Sequence, residues 1–107
     1  MSAKPLYSTV IHERSAMKDI TFSNLAYYLR QGREIEFSYK GRCYSITNHS
    51  GFWYLCDDTH HILLETLCPF AERDTLVSKI AASVLSDLTI SEIFDRQLYD
   101  AEALHIL

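Results

Sequence analysis

The sequence predicts an α+β fold: an N-terminal helix, an antiparallel β-meander of three to four strands, and two C-terminal helices packed on one sheet face. Three observations predict it. Apolar residues recur at helical spacing between Thr21 and Gln31. Polar and apolar residues then alternate without a break over Glu34-Ile35-Glu36-Phe37-Ser38-Tyr39-Lys40, the period of a half-buried strand. Helical steps of three and four return beyond Pro69, in Leu76, Val77, Ile80 and Val84.

Residues 1 to 19 mix charges, serines and Pro5 with little periodicity and read as a partly ordered leader; Tyr7, Val10 and Ile11 fit a strand or a docked helical turn equally. Residues 20 to 107 form the single domain. Its first helix carries Phe22, Leu25, Ala26, Tyr28 and Leu29 inward, with Thr21 or Ser23 as N-cap and Gly32 where a left-handed C-terminal residue is wanted. Lys40-Gly41 turns the first strand into a second, Arg42 to Thr47, with Tyr44 and Ile46 at alternate positions. Asn48-His49-Ser50-Gly51 is a second turn, Phe52 to Cys56 an aromatic strand, Asp57-Asp58-Thr59 a third turn, and Ile62 to Leu67 a fourth strand. Such short connections make neighbouring strands antiparallel. A second helix is expected over about 71 to 84. Thr89-Ile90-Ser91-Glu92 is a capping box that opens a third helix through about Leu98. In the tail, Leu104, Ile106 and Leu107 are expected to dock on the core, because left exposed they would invite aggregation.

The 107 residues suit one domain and leave no room for a second independent core. With 48% hydrophobic residues, 22% charged, three glycines and two prolines, the chain has the apolar content that disordered segments lack. A net charge of −4 opposes a phosphate backbone and argues against nucleic acid as a partner. An acidic surface suits a basic protein groove, although solubility alone explains the same charge. Cys43, Cys56 and Cys68 are odd in number and form no CxxC pair, so neither a disulfide framework nor a structural zinc site is expected. All three lie among apolar neighbours and read as small buried hydrophobes in a reducing compartment. The apolar runs are too short to span a membrane, and the expected location is cytoplasmic.

The run Gly32 to Gly41, with Tyr44-Ser45-Ile46, Trp53-Tyr54-Leu55 and Ser91-Glu92-Ile93, resembles a group of uncharacterised small proteins of Gram-positive bacteria and their phages and mobile elements. The resemblance covers about residues 22 to 95 and brings no catalytic residue. It implies a setting in which small acidic proteins bind other proteins, including inhibitors of defence enzymes such as CRISPR-type nucleases.

Little in the sequence points to catalysis. His60 and His61, with Asp57, Asp58 and His49, are the one cluster of potential metal ligands. Adjacent strand residues point to opposite faces, so a solvated turn is the simpler reading than a metal site. No cysteine precedes a helix N-terminus or sits in basic surroundings that would activate it. Glu34 and Glu36 share a strand face at i and i+2, where exposure explains them better than a carboxylate pair with separated pKa values. The aromatics Tyr39, Tyr44, Phe52, Trp53 and Tyr54 are too many for so thin a sheet to hide, and exposed aromatics with polar tips favour protein contacts. Packing beneath the helices is the alternative for each. Tyr27 and Tyr28 pose the same question, since only one of an adjacent helical pair can face the sheet.

The expectation is a non-catalytic module that binds another protein, with no cofactor or metal. Its contacts fall among Glu34, Glu36, Tyr44, Trp53, Tyr54, Asp57 and Asp58. The alternatives are a small metal-dependent protein or enzyme using Asp57 to His61, and a self-associating domain that forms a homodimer.

Overall fold

The computed structural model describes residues 19–107. The leader expected over 1 to 19 therefore lies outside the described residues, save Asp19. The class is α+β, as the sequence predicts. Helix α1 (Phe22–Arg30) leads into strands β1 (Ile35–Tyr39), β2 (Arg42–His49), β3 (Phe52–Asp57) and β4 (Ile62–Pro69). Helix α2 (Arg73–Ala82), the small hairpin β5 (Val84–Leu85) and β6 (Leu88–Thr89), helix α3 (Ile90–Asp95), a 3₁₀ turn (Ala101–Ala103) and strand β7 (His105–Ile106) follow. The main sheet has five strands in the order β4-β3-β2-β1-β7, all antiparallel.

The meander is drawn by its turns. Lys40 and Gly41 both have positive φ, at 51° and 77°, and so do Ser50 and Gly51, at 50° and 86°. Two such residues in a two-residue loop make the mirror-image turn whose twist matches the flanking strands. The Asn48–Gly51 cluster is thus only half turn: Asn48 and His49 stay in β2, opposite Trp53 and Phe52.

The helix ends follow their capping chemistry. Thr21 caps α1 with Asn24 returning the bond, and Thr89 caps α3 with Glu92 doing the same. At the C-terminus of α1, Gly32 (φ 84°) lets the Arg33 amide reach Tyr28 O at 3.2 Å and its own amide reach Leu29 O at 2.9 Å. Helix α3 closes in the same way on Gln97 (φ 58°), with Leu98 N to Ile93 O at 2.9 Å and Gln97 N to Phe94 O at 3.0 Å. It is therefore shorter than the expected run to Leu98. The second helix is shorter too, spanning Arg73–Ala82, because Val84 opens a hairpin that turns on left-handed Ser86.

One core fills the space between the helices and one face of the sheet. Ile35, Phe37, Tyr39, Tyr44, Ile46, Trp53 and Leu55 meet Leu25, Leu29, Leu76, Val77, Ile80, Ile93 and Phe94. Trp53, fully buried, stacks on Phe70 with centroids 5.4 Å apart and donates Nε1–H to Phe70 O at 3.0 Å. Arg73 donates Nε–H to the same carbonyl at 2.7 Å and Nη1–H to Arg30 O, the end of α1, at 2.9 Å. Asp87, in the small hairpin, accepts from Tyr39 Oη and Lys40 Nζ at 2.7 Å each, tying that hairpin to the first turn of the meander.

The tail docks as expected at Leu104, which is buried, and it does so by adding a strand. Ile106 pairs with Ile35 and His105 with Glu36. Leu107 departs from the expectation and is exposed. Its amide still donates to Glu34 O at 2.8 Å, and Arg33 Nη2 holds Ile106 O at 3.2 Å.

A Cβ at position 32 would lie 3.0 Å from Arg73 Nη1, whereas one at position 41 meets nothing within 4 Å. Both positions have positive φ, so each alanine carries backbone strain of about 1 kcal/mol. Gly32→Ala must also displace a guanidinium held by two hydrogen bonds. Urea unfolding of the two variants is expected to rank Gly32→Ala as the more damaging; equal midpoints would mean that Arg73 yields freely.

Candidate partner-binding face

The helices of the described residues lie against one side of the sheet, and no described helix covers the other. On that side β1 places Glu36 and Ser38, β2 places Cys43 and Thr47 with the buried Ser45 between them, and β3 places Tyr54 and Cys56, while Phe37, Tyr44, Ile46 and Leu55 are buried opposite. Two shallow grooves, each of about 260 Å³, meet at Glu36 and Asp58. The first is lined by Glu34, Ser45, Thr47 and Leu107 as well, and the second by Cys43, Tyr44, Ala103 and His105.

The carboxylates differ in how they are held. Glu36 is exposed, between Ser45 on β2 and His105 on β7. Asp58 is exposed too; its Oδ1 accepts from Ser45 Oγ at 3.1 Å, and its amide donates to Cys43 O at 2.8 Å. Glu34 is half-buried, and its Oε2 accepts from Thr47 Oγ and from the Asn48 amide at 2.9 Å each. Solvent exposure, expected of both glutamates, therefore holds for Glu36 but is corrected for Glu34, which braces β2 from the strand beside it.

Three of the expected contact residues are inside. Tyr44 and Trp53 belong to the core, where Tyr44 stacks on Phe37 at 5.5 Å and Trp53 on Phe70. Both sit at positions whose alternation faces the helices, and a large ring there fills the space between the layers. Trp53 is not a surface contact in this fold, whereas Tyr44, although buried, still lines the second groove. Asp57 is only 4% exposed, and it organises the turn that follows: Oδ1 accepts from the His60 amide at 3.1 Å, and Oδ2 lies 2.9 Å from His60 Nδ1. Tyr54 is half-buried on the side away from the helices, and among the described residues Phe52 and Tyr27 are the aromatics left most exposed. Tyr28 packs against the core, which resolves the adjacent pair as helical geometry requires.

The Asp57 carboxylate is spent on this turn. Among the described residues no group of three His, Cys, Asp or Glu side chains is placed to hold a metal ion. The cysteines separate as well: Cys68 is buried, Cys56 half-buried, and Cys43 exposed, contrary to the expectation that all three are buried. Burial pushes the Cys56 and Cys68 thiols up, helped by the charges of Asp58 and Glu72 respectively, which disfavours the nucleophilic thiolate in both.

The residues sequence reasoning missed are Ser45, Thr47 and Leu107, which shape the groove around the acids. Serine and threonine alternating on β2 was the available signal. No helix among the described residues is long and apolar enough to cross a membrane. No protein-family model matches the chain, and no curated protein or solved structure shows significant similarity to it.

Burial acts to raise the Asp57 carboxyl, but the bonds from the His60 ring and amide, with the nearby charges of His60 and Arg42, leave it lowered. A carboxyl lowered on folding adds stability that is present above its unfolded pKa, about 3.9, and is lost as pH falls through the native value. Asp57→Asn is therefore expected to cost most near neutral pH, with the gap from wild type narrowing below about pH 4. Denaturation across pH checks this, and a gap that stays constant into acid would refute it.

Proposed function

We propose that this chain is a non-catalytic, cytoplasmic protein-binding module whose open sheet face, centred on Glu36 and Asp58, meets a basic surface of another protein. The observation that supports this most is the placement of Glu36, Asp58 and the partly engaged Glu34 around adjoining grooves on the sheet face that no helix among the described residues covers. Carboxylates on a shallow face are suited to steering and orienting a cationic partner, and Tyr54 beside them offers area at little rotamer cost. Proteins that bind nucleic acid carry basic surface of this kind. Together with the resemblance over residues 22 to 95, this leads us to read the module as a phage or mobile-element inhibitor or regulator of a host protein, such as a CRISPR-type defence nuclease.

Affinity capture with wild type, with Glu36→Lys/Asp58→Lys and with the distant control Tyr27→Ser tests the assignment. Wild type and the control are expected to retain one partner that the charge-reversed variant loses, and retention should weaken as salt rises. Equal capture by all three proteins would remove the open face from the interaction.

A further inference from the structure

We propose that the open sheet face is divided into an acidic half and an apolar half, and that it takes a partner segment in which a block of basic residues is followed by a block of apolar ones, laid across the strands. This rests on the reading of that face as a protein-binding surface and names the chemistry of what meets it.

The division follows from the register, because residues set side by side in antiparallel strands share a face. Glu36 pairs with Ser45, Ser45 with Cys56 and Cys56 with Leu63, so one row crosses from β1 to β4 and changes from carboxylate to hydroxyl to thiol to leucine. The next row runs from Thr47 through Tyr54 to Thr66, with the Glu34 carboxylate bonded to Thr47 at its β1 end. Beyond it, Phe52 lies between His49 and Pro69. The acids thus gather over β1 and β2, Asp58 included, since its carboxylate is bonded to Ser45. In these rows β3 and β4 bring no charged side chain.

A strand with one solvated face carries polar residues there, as β1 does with Glu36 and Ser38. Strand β3 breaks that rule. Among the described residues Phe52 is 41% and Leu63 55% exposed, and Tyr54, half-buried, occupies the row between theirs. Apolar surface rimmed by charge marks a place of contact, and here the rim is negative along one side only. A cation alone would use the β1 side and leave the rest wet, so the occupant that fits both halves is basic at one end and apolar at the other. Glu36 and Leu63 are three strand spacings apart, about 14 Å, which an extended chain spans in about four residues. The two blocks are therefore neighbours in the partner's sequence.

Two synthetic peptides of equal length and arginine content probe the full chain, one with its arginines followed by leucines and tyrosines, the other with serines in place of that apolar block. Calorimetry is expected to show the first binding about tenfold more tightly. Phe52→Ser/Leu63→Ser, with its fold checked by circular dichroism, should remove that advantage and leave the arginine–serine peptide unaffected, whereas Glu36→Lys/Asp58→Lys should weaken both. A nitroxide on the apolar end of the first peptide should broaden the amide signals of Leu63 and Thr66 more than that of Glu36, and a nitroxide on the arginine end the reverse. Equal affinities for the two peptides, an advantage that survives Phe52→Ser/Leu63→Ser, or broadening that does not follow the label would each overturn this proposal while leaving the acidic contact in place. No binding of either peptide, or binding of both that ignores Glu36→Lys/Asp58→Lys, would overturn the underlying reading and this proposal with it.

Discussion

The two layers of this fold are joined at Phe70. Its carbonyl takes the Trp53 indole N–H from the sheet and the Arg73 Nε–H from the start of α2, while its ring stacks on the indole and lies 4.2 Å from the guanidinium. Arg73 continues to the last carbonyl of α1, so a single backbone oxygen and one aromatic ring link β3, α1 and α2. A buried indole N–H and an orphaned helix-end carbonyl would each be costly alone. Here they are satisfied by neighbours that also set the angle between the layers, and Gly32 is the residue small enough to admit the arginine that does it.

Much of this was legible in the residues, and the reasons are specific. The alternation from Glu34 to Lys40 gave β1 within a residue at each end, because one face of that strand is core and the other is water. Thr89 and Glu92 marked the start of α3, and Gly32 the end of α1, because those side chains do the same job wherever a helix begins or ends. What escaped notice lacked such chemistry. The closure of α3 rests on a left-handed Gln97, the small hairpin on a left-handed Ser86, and neither residue type advertises that conformation. Strand β7 is two residues long and exists only because β1 offers an edge, which no local pattern can report.

The candidate site was half legible for a related reason. Polar residues alternating with core residues announced Glu36, and the turn composition placed Asp58 near the surface. Aromatic content could not say which rings lie between the layers, and Tyr44 and Trp53 proved to be architecture. Asp57 also changed meaning, from a surface acid to a buried turn-former, since sequence shows the carboxylate but not the His60 amide and ring that engage it. The face that remains is acidic and hydroxyl-rich, and one sheet thickness separates it from the core.

The described chain also joins its own ends. The Ile20 amide donates to Tyr99 Oη, the Phe22 amide to Asp95, and the Gln97 side chain to Ile20 O, each across more than seventy residues, while the hairpins of the meander bond across a handful. Loop-closure entropy rewards the local pairings first, and the long closures must wait for them. Strands β1 to β4 are thereby suited to nucleate folding, with α1 and the final strand zipped on late. In native-state hydrogen exchange the same seam would be the first part of the molecule to breathe.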